Sequence, residues 1–300
     1  MSTAKNWISA FRLRTLPLSL STIALGSGLA ASQNQHNLTV TLLALLTTVL
    51  LQILSNLAND YGDGIKGTDN DARLGPMRAV QSGQISHTQM RTAVIFFIIL
   101  SMASGITLLW VAFRTELLYA LLFLALGLAA VWAAVKYTVG DSAYGYRGLG
   151  DLFVFLFFGI LGTGGTYFLH TLQFSPYVLL PAGAVGHLST GVLNLNNLRD
   201  IKNDKASGKN TVVVLIGYAN ARIYHLFLTL LPFVFMSLYV ALNGYNETVN
   251  YLFLAALPFI LLHIKNLFSV QNPRDLDPML KQLALTSVLF VILSIAGILL

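Results

Sequence analysis

The chain has 300 residues, of which 55% are hydrophobic and only 10% charged, with a mean hydropathy of +0.69. Soluble domains carry about 25% charged residues, so this chain lacks the polar groups to cover a soluble surface. It has no cysteine, which excludes disulfides and thiolate metal sites, and its net charge of +6 invites a nucleic-acid reading that the placement of the charges argues against.

The first stretch, MSTAKNWISAFRLRTLP, has no apolar run before Arg14, so no cleaved signal peptide is expected. A spanning helix needs roughly 20 mostly apolar residues. Runs of that kind predict nine spans, at about 15–33, 38–59, 91–112, 117–137, 151–170, 177–197, 222–243, 250–268 and 281–300. Lys5, Arg12 and Arg14 precede the first, and Lys66, Arg73, Arg78 and Arg91 separate the second from the third. Lys136 and Arg147 follow the fourth; Arg199, Lys202, Lys205, Lys209 and Arg222 follow the sixth; Lys265, Arg274 and Lys281 follow the eighth. Seventeen of the eighteen basic residues therefore share one face, and only Arg114 falls on the other. By the positive-inside rule that face is cytoplasmic, as is the N-terminus. The basic excess is topological, and no nucleic-acid partner is expected. The expected fold is all-α: one integral membrane domain over residues 1–300, surrounded by membrane lipid.

Ten of the twelve acids share the cytoplasmic face, with Glu116 and Glu247 the exceptions, and the positive-inside rule does not require them there. Four of them, Asp60, Asp63, Asp69 and Asp71, fall within twelve positions after eighteen uncharged residues from Leu38 to Ser55. Asn56, Asn59, Asp60 and Asp63 share one helix face, and Asn196, Asp200 and Asp204 share another. The Asn56/Asp60 spacing recurs at Asn196/Asp200, 140 positions on and at the end of the sixth span rather than the second. Duplicated four-helix halves with a ninth helix added would produce this order. Oxygen-only ligands suit hard cations, chiefly Mg²⁺, which takes one or two carboxylates per ion and completes its shell with water and phosphate. Arg73 and Arg78 in the first loop, Lys136 after the fourth span, and Arg199 and Lys209 near the second cluster supply phosphate-binding cations. A metal-diphosphate substrate with a greasy tail among the helices fits both sets.

Other features have simpler readings. Asp71, Asp141 and Asp275 are read as solvated acids, and Arg91 and Arg222 as interfacial anchors. His87, His187 and His263 lack partner spacing and read as structural. GILGTGGT at 159–166 reads as close helix packing. The CDP-alcohol phosphotransferase motif does not fit, because seven residues separate Asp63-Gly64 from Ala72-Arg73.

NDYGD followed by DIKND resembles the UbiA-type intramembrane prenyltransferases, with their NDxxDxxxD and DxxxD motifs. Asn59, Asp60 and Asp63 match the first motif, and Asp200 and Asp204 the second. The first motif's last aspartate falls on Gly67, with Asp69 two residues later; Arg78 in RAVQSG and Lys136 in VKYT match family positions. RLGPMRAVQSGQIS, YGYRGLGDLFVFLFFG and NNLRDIKNDKASGKNTVVVLIG are similar to the branch acting on 1,4-dihydroxy-2-naphthoate in menaquinone synthesis.

The resemblance implies Mg²⁺ held by Asn59, Asp60, Asp63, Asp69, Asp200 and Asp204. It implies catalysis by Asp60, Asp63, Asp200, Asp204, Arg78 and Lys136, and substrate binding by Asn56, Asn59, Arg73, Lys209, Arg147, Asp151 and Asn196. The substrates would be a polyprenyl diphosphate and the naphthoate, in a bacterial inner membrane with the site on the cytoplasmic side. No obligatory protein partner is evident. The alternatives are a sibling enzyme with another acceptor, such as 4-hydroxybenzoate or homogentisate, and a transporter with acidic cation sites. A transporter places its ionisable groups near mid-membrane, whereas here they crowd one rim.

Overall fold

In the computed structural model, residues 3–70 and 73–300 are described; Asp71, the fourth acid of the first cluster, lies outside them. The described chain is helical, with no strand. A short amphipathic helix α1 (Ala4–Phe11) precedes α2 (Leu16–Ala31). Then come α3 (Leu38–Lys66), α4 (His87–Phe113) and α5 (Leu117–Lys136). A continuous helical run follows, made of α6 (Gly150–Val154), a π-helical segment (Phe155–Gly165) and α7 (Thr166–Thr171). The rest is α8 (Leu179–Ala206), α9 (Val212–Leu242), α10 (Leu257–Ser269) and α11 (Leu276–Leu299).

Side-chain caps set the helix starts. Asn37 accepts from the backbone N–H of Thr39 and Val40, Ser86 and Gln89 form a reciprocal capping box on α4, and Thr211 caps α9.

Among the described residues, eight helical stretches are long and apolar enough to cross a membrane, one fewer than the nine expected. The difference is α2, whose 16 residues span ~24 Å against a hydrocarbon core of about 30 Å. Its surroundings explain this: eleven of the 16 residues are buried. Helix α2 packs against α3, α7, α11 and the π-helical segment, so its neighbours are protein rather than lipid.

Of four packed regions among the described residues, two are the larger. One joins α2, α8, α9 and α11 through Leu25, Val185, Met236 and Phe290. The other joins α1, α3 and α4 through Ala10, Leu54, Leu57 and Met90. Helix α8 is largely buried at the centre, whereas α5 is almost wholly peripheral. Helices α3 and α8, of 29 and 28 residues, carry the two acidic clusters at their C-terminal ends.

The π-helical segment presses on α8 at Gly159, where an added Cβ would lie 2.6 Å from the Ala182 carbonyl oxygen and 2.7 Å from Gly186 Cα. Gly159→Val must therefore push the two helices apart. It is expected to cost roughly 1–3 kcal/mol and to lower the unfolding midpoint in detergent. Gly164→Ala, whose methyl would meet only Ala182 Cβ at 4.0 Å, is expected to leave the midpoint unchanged.

Candidate active site

Helix α3 ends at Gly67, whose positive φ of 70° forms the left-handed cap that a non-glycine residue resists. The chain then turns back, placing Asp69 near the last turn of α3, where its N–H faces the Asp63 carbonyl. Asp60 is 1% exposed; one oxygen accepts from the Ala79 N–H at 3.2 Å, and the other has no partner. Asp63 accepts from the Tyr146 hydroxyl at 2.8 Å and from Lys209 Nζ at 3.4 Å. Asn56 fixes the N-terminal segment by donating to the Phe11 carbonyl at 2.9 Å and to Thr15 Oγ1 at 3.2 Å.

At the end of α8, Arg199 forks onto its neighbour Asp200, at 3.1 and 2.6 Å, and donates to Asn196 Oδ1 at 2.8 Å and to Asp277 on α11. Arg73 joins the two clusters, with Asp69 at 3.3 Å and Asp200 at 3.7 Å. Asn203 adds a second tie, donating to the Thr68 carbonyl at 2.9 Å. Asp204 is buried near Lys209. Arg78 approaches Asp69 at 3.7 Å, yet its Nε makes no hydrogen bond.

The electrostatics follow from burial. Burial raises the Asp69 carboxyl above its usual range, and Arg78 and Arg73 offset this only in part. Burial also lowers Arg78 well below its ordinary value, with repulsion from Arg12 and Arg73 adding to it. Arg12 is lowered to about 10 by burial against the pull of Asp60. Lys209 behaves oppositely: burial works against its charge, but Asp63 and Asp204 outweigh it and hold the ammonium above its ordinary value.

Some of these groups border a cavity of about 770 Å³. Asn59, Asp63, Arg78, Asn196 and Lys209 line its rim, and Ile23, Leu51, Phe123, Phe157 and Leu161 line its interior. Along α3 it runs from Asp63 to Ala44, roughly 28 Å at 1.5 Å per residue. The head of the site is polar, and its body is apolar and long.

Of the expected residues, Asn56, Asn59, Asp63, Arg78, Asn196 and Lys209 line this cavity; Asp60, Asp69, Arg73, Asp200 and Asp204 cluster beside it, and three others join neither. Lys136, half-buried at the end of α5, curls its ammonium back toward Gly140. Arg147 is exposed at the end of a short 3₁₀ turn. Asp151 is buried facing Tyr224 on α9. His263, read as structural, pairs with His225 at 3.0 Å, away from the cavity. Two residues that sequence reasoning passed over join the site. Arg12 lies at a left-handed bend with φ 51°, strained for a non-glycine residue, and reaches the cavity with Nη2 unpartnered. Asp277 reaches Arg199 from α11.

The sequence model of the UbiA prenyltransferase family matches residues 19–299. The chain belongs to the UbiA prenyltransferase family. A 1,4-dihydroxy-2-naphthoate octaprenyltransferase of Haemophilus influenzae is 42% identical over 300 residues, covering 98% of this chain and 96% of that protein. The enzyme of the same name from Escherichia coli is 46% identical over 239 residues, covering 80% and 77%. The fold is shared with a UbiA homologue from Archaeoglobus fulgidus solved bound to GPP and Mg²⁺. That likeness has a TM-score of 0.70 at 17% identity, over 98% of this prenyltransferase and 100% of the other chain.

In this prenyltransferase Arg199 neutralises two carboxylates on different helices. Arg199→Met removes the shared partner of a buried ion-pair network, which is expected to cost about 3–5 kcal/mol. Thermal unfolding in detergent checks this, with Arg199→Lys expected to recover only part because the fork becomes a point contact.

Proposed function

We propose that this prenyltransferase joins a polyprenyl group from a polyprenyl diphosphate to 1,4-dihydroxy-2-naphthoate. Diphosphate and CO₂ are released and demethylmenaquinol is formed. One observation carries the donor half of the reading: buried charges of both signs stand side by side without enough partners. Asp60 and Asp69 each keep one bare carboxylate oxygen, while Arg12 Nη2 and Arg78 Nε have no hydrogen-bond acceptor. A cation alone would leave the guanidinium groups unmatched, and an anion alone the carboxylates. A metal-bound diphosphate supplies both.

The donor set fits Mg²⁺. Among the described residues no three acidic, histidine or cysteine side chains converge into one cage. Mg²⁺ needs only one or two carboxylates and takes phosphate and water for the rest. Asn59, Asp60, Asp63, Asp69, Asp200 and Asp204 are the proposed ligands. When bound, the metal would draw negative charge from the leaving diphosphate.

The chain's own residues account for the remaining requirements. Arg73, Arg78 and Lys209 sit where the diphosphate would lie and offset the charge that builds as the allylic C–O bond breaks. The apolar cavity holds the polyprenyl tail and keeps water from the allylic cation. The electron-rich ring forms the new C–C bond, and its carboxylate departs as CO₂. No protein nucleophile is required. Lys136 joins this set only by swinging away from Gly140, and Arg147 and Asp151 only as rim or supporting groups. The whole chain acts as one membrane domain, in a bacterial inner membrane with the site on the cytoplasmic side. The support for that orientation is the single-sided placement of Lys and Arg.

Membranes carrying the protein are expected to release labelled CO₂ from carboxyl-labelled naphthoate in step with prenyl transfer, and only with Mg²⁺ and a polyprenyl diphosphate present. Asp63→Ala and Asp200→Ala are expected to lower kcat by roughly 100-fold or more, about 2.7 kcal/mol. Prenylated 4-hydroxybenzoate that retains its carboxylate, with no reaction of the naphthoate, would move the chain to another acceptor.

A further inference from the structure

Helix α3 forms one wall of the long cavity, and that wall is not apolar throughout. Thr48, Gln52 and Ser55 line it. They stand four and three positions apart, so they form one stripe on the helix. All three are half-buried, whereas Ile53, Leu54, Leu57 and Ala58, on other faces of α3, are buried in protein. Thr48 lies roughly 22 Å from Asp63 along the helix, at 1.5 Å per residue. The stripe therefore runs beside the tail, below the charged head of the site.

A hydroxyl on a helix can fold back onto the carbonyl four residues earlier. Thr47 does so, donating to the Leu43 carbonyl at 2.8 Å, and its hydroxyl also meets that of Ser104 at 2.8 Å. Ser101 and Ser189 border the cavity too, but their hydroxyl oxygens are covered. Thr48 and Ser55 differ from all of these. Among the described residues neither hydroxyl has a hydrogen-bond partner, although both side chains are open to the cavity. Gln52 donates once, to Thr15 Oγ1 at 3.3 Å, and keeps its second N–H free.

A tail entering the cavity displaces the water that these groups would otherwise bind. A saturated chain gives nothing in return, and affinity is lost. The double bonds of a polyprenyl chain carry π electrons, which accept weak hydrogen bonds from O–H and N–H groups. The spacing suits such a chain: three to four residues rise about 4.5–6 Å, close to the length of one extended isoprene unit.

We propose that Thr48, Gln52 and Ser55 select an unsaturated polyprenyl tail over a saturated tail of the same length. This rests on the prenyl-transfer reading above and adds to it a basis for the choice of donor. Each such bond is a second-order contribution. Between two tails of one carbon skeleton the burial of apolar surface nearly cancels, so this contribution decides.

Geranylgeranyl diphosphate and phytyl diphosphate make the test. They share a skeleton, a diphosphate and an allylic double bond, and differ in the remaining double bonds. Their dissociation constants are measured on the purified full chain in detergent, with Mg²⁺ and no acceptor. Thr48→Val and Ser55→Ala together remove two hydroxyls without orphaning a partner. The preference for geranylgeranyl over phytyl diphosphate is expected to fall about fivefold in the double variant and about twofold in each single one. Phytyl diphosphate is expected to bind more tightly than it does to the unaltered protein, whereas damage to the fold would weaken both ligands. Thr47→Val, whose hydroxyl is already engaged, is expected to leave the preference unchanged. Partition of the tails into micelles cancels, because each preference is taken in the same detergent. A preference that stays at its original value in the double variant would overturn the proposal, as would an equal fall in Thr47→Val. Saturable binding of neither diphosphate would overturn the donor reading and the selection with it. The expected preferences without transfer to the naphthoate would uphold the stripe and move the acceptor.

Discussion

Arg73 touches Asp69 in the loop after α3 and Asp200 at the end of α8. The rest of the site depends on this bridge. Two helices ending in carboxylates repel each other in a medium of low dielectric, where buried like charges interact strongly. Without a cation between them the bundle could not close at this rim. Arg199 extends the bridge to Asp277 on α11, and Lys209, in the turn between α8 and α9, reaches back to Asp63 on α3. The helix ends are thus held by a chain of alternating charges, which the hydrophobic packing below does not supply.

That chain leaves charges over, and the remainder has consequences for function. Pairs that satisfied each other fully would hold the rim and bind nothing. Here carboxylate oxygens of Asp60 and Asp69 and guanidinium nitrogens of Arg12 and Arg78 stay bare under cover. Each is expensive to keep in that state. The left-handed bend at Arg12 adds strain to the same place. A site carrying such costs is organised for a ligand with charges of both signs. The apolar cavity beneath sets the rest of that ligand's character, a long tail held away from water.

Much of this was legible in the chain itself. Asp60, Asp63, Asp200 and Asp204 could be read because carboxylates after an uncharged run conflict with lipid, and because the Asn-x-x-x-Asp spacing occurs twice. The all-helical membrane class followed from apolar run length. The first span was overcounted because run length does not reveal what a segment touches, and α2 is sheathed by protein. Arg12 and Asp277 were missed for a related reason. Each looks like an ordinary interfacial charge, and only the bend after α1 and the approach of α11 bring them to the acids. Lys136 and Arg147 show the converse: their positions along the chain fit, but the end of α5 and the turn after it aim them elsewhere.

The central claim is that the leftover charges await a metal and a diphosphate together. Calorimetric titration of the purified chain with inorganic diphosphate, with and without Mg²⁺, tests it most directly, because neither the prenyl tail nor the acceptor is involved. Saturable binding with Mg²⁺, little binding without it, and loss of the Mg²⁺-dependent part in Asp60→Asn are expected. Equal binding with and without Mg²⁺, unaffected by Asp60→Asn, would mean that the arginines act alone and that the carboxylates serve only to hold the helices together.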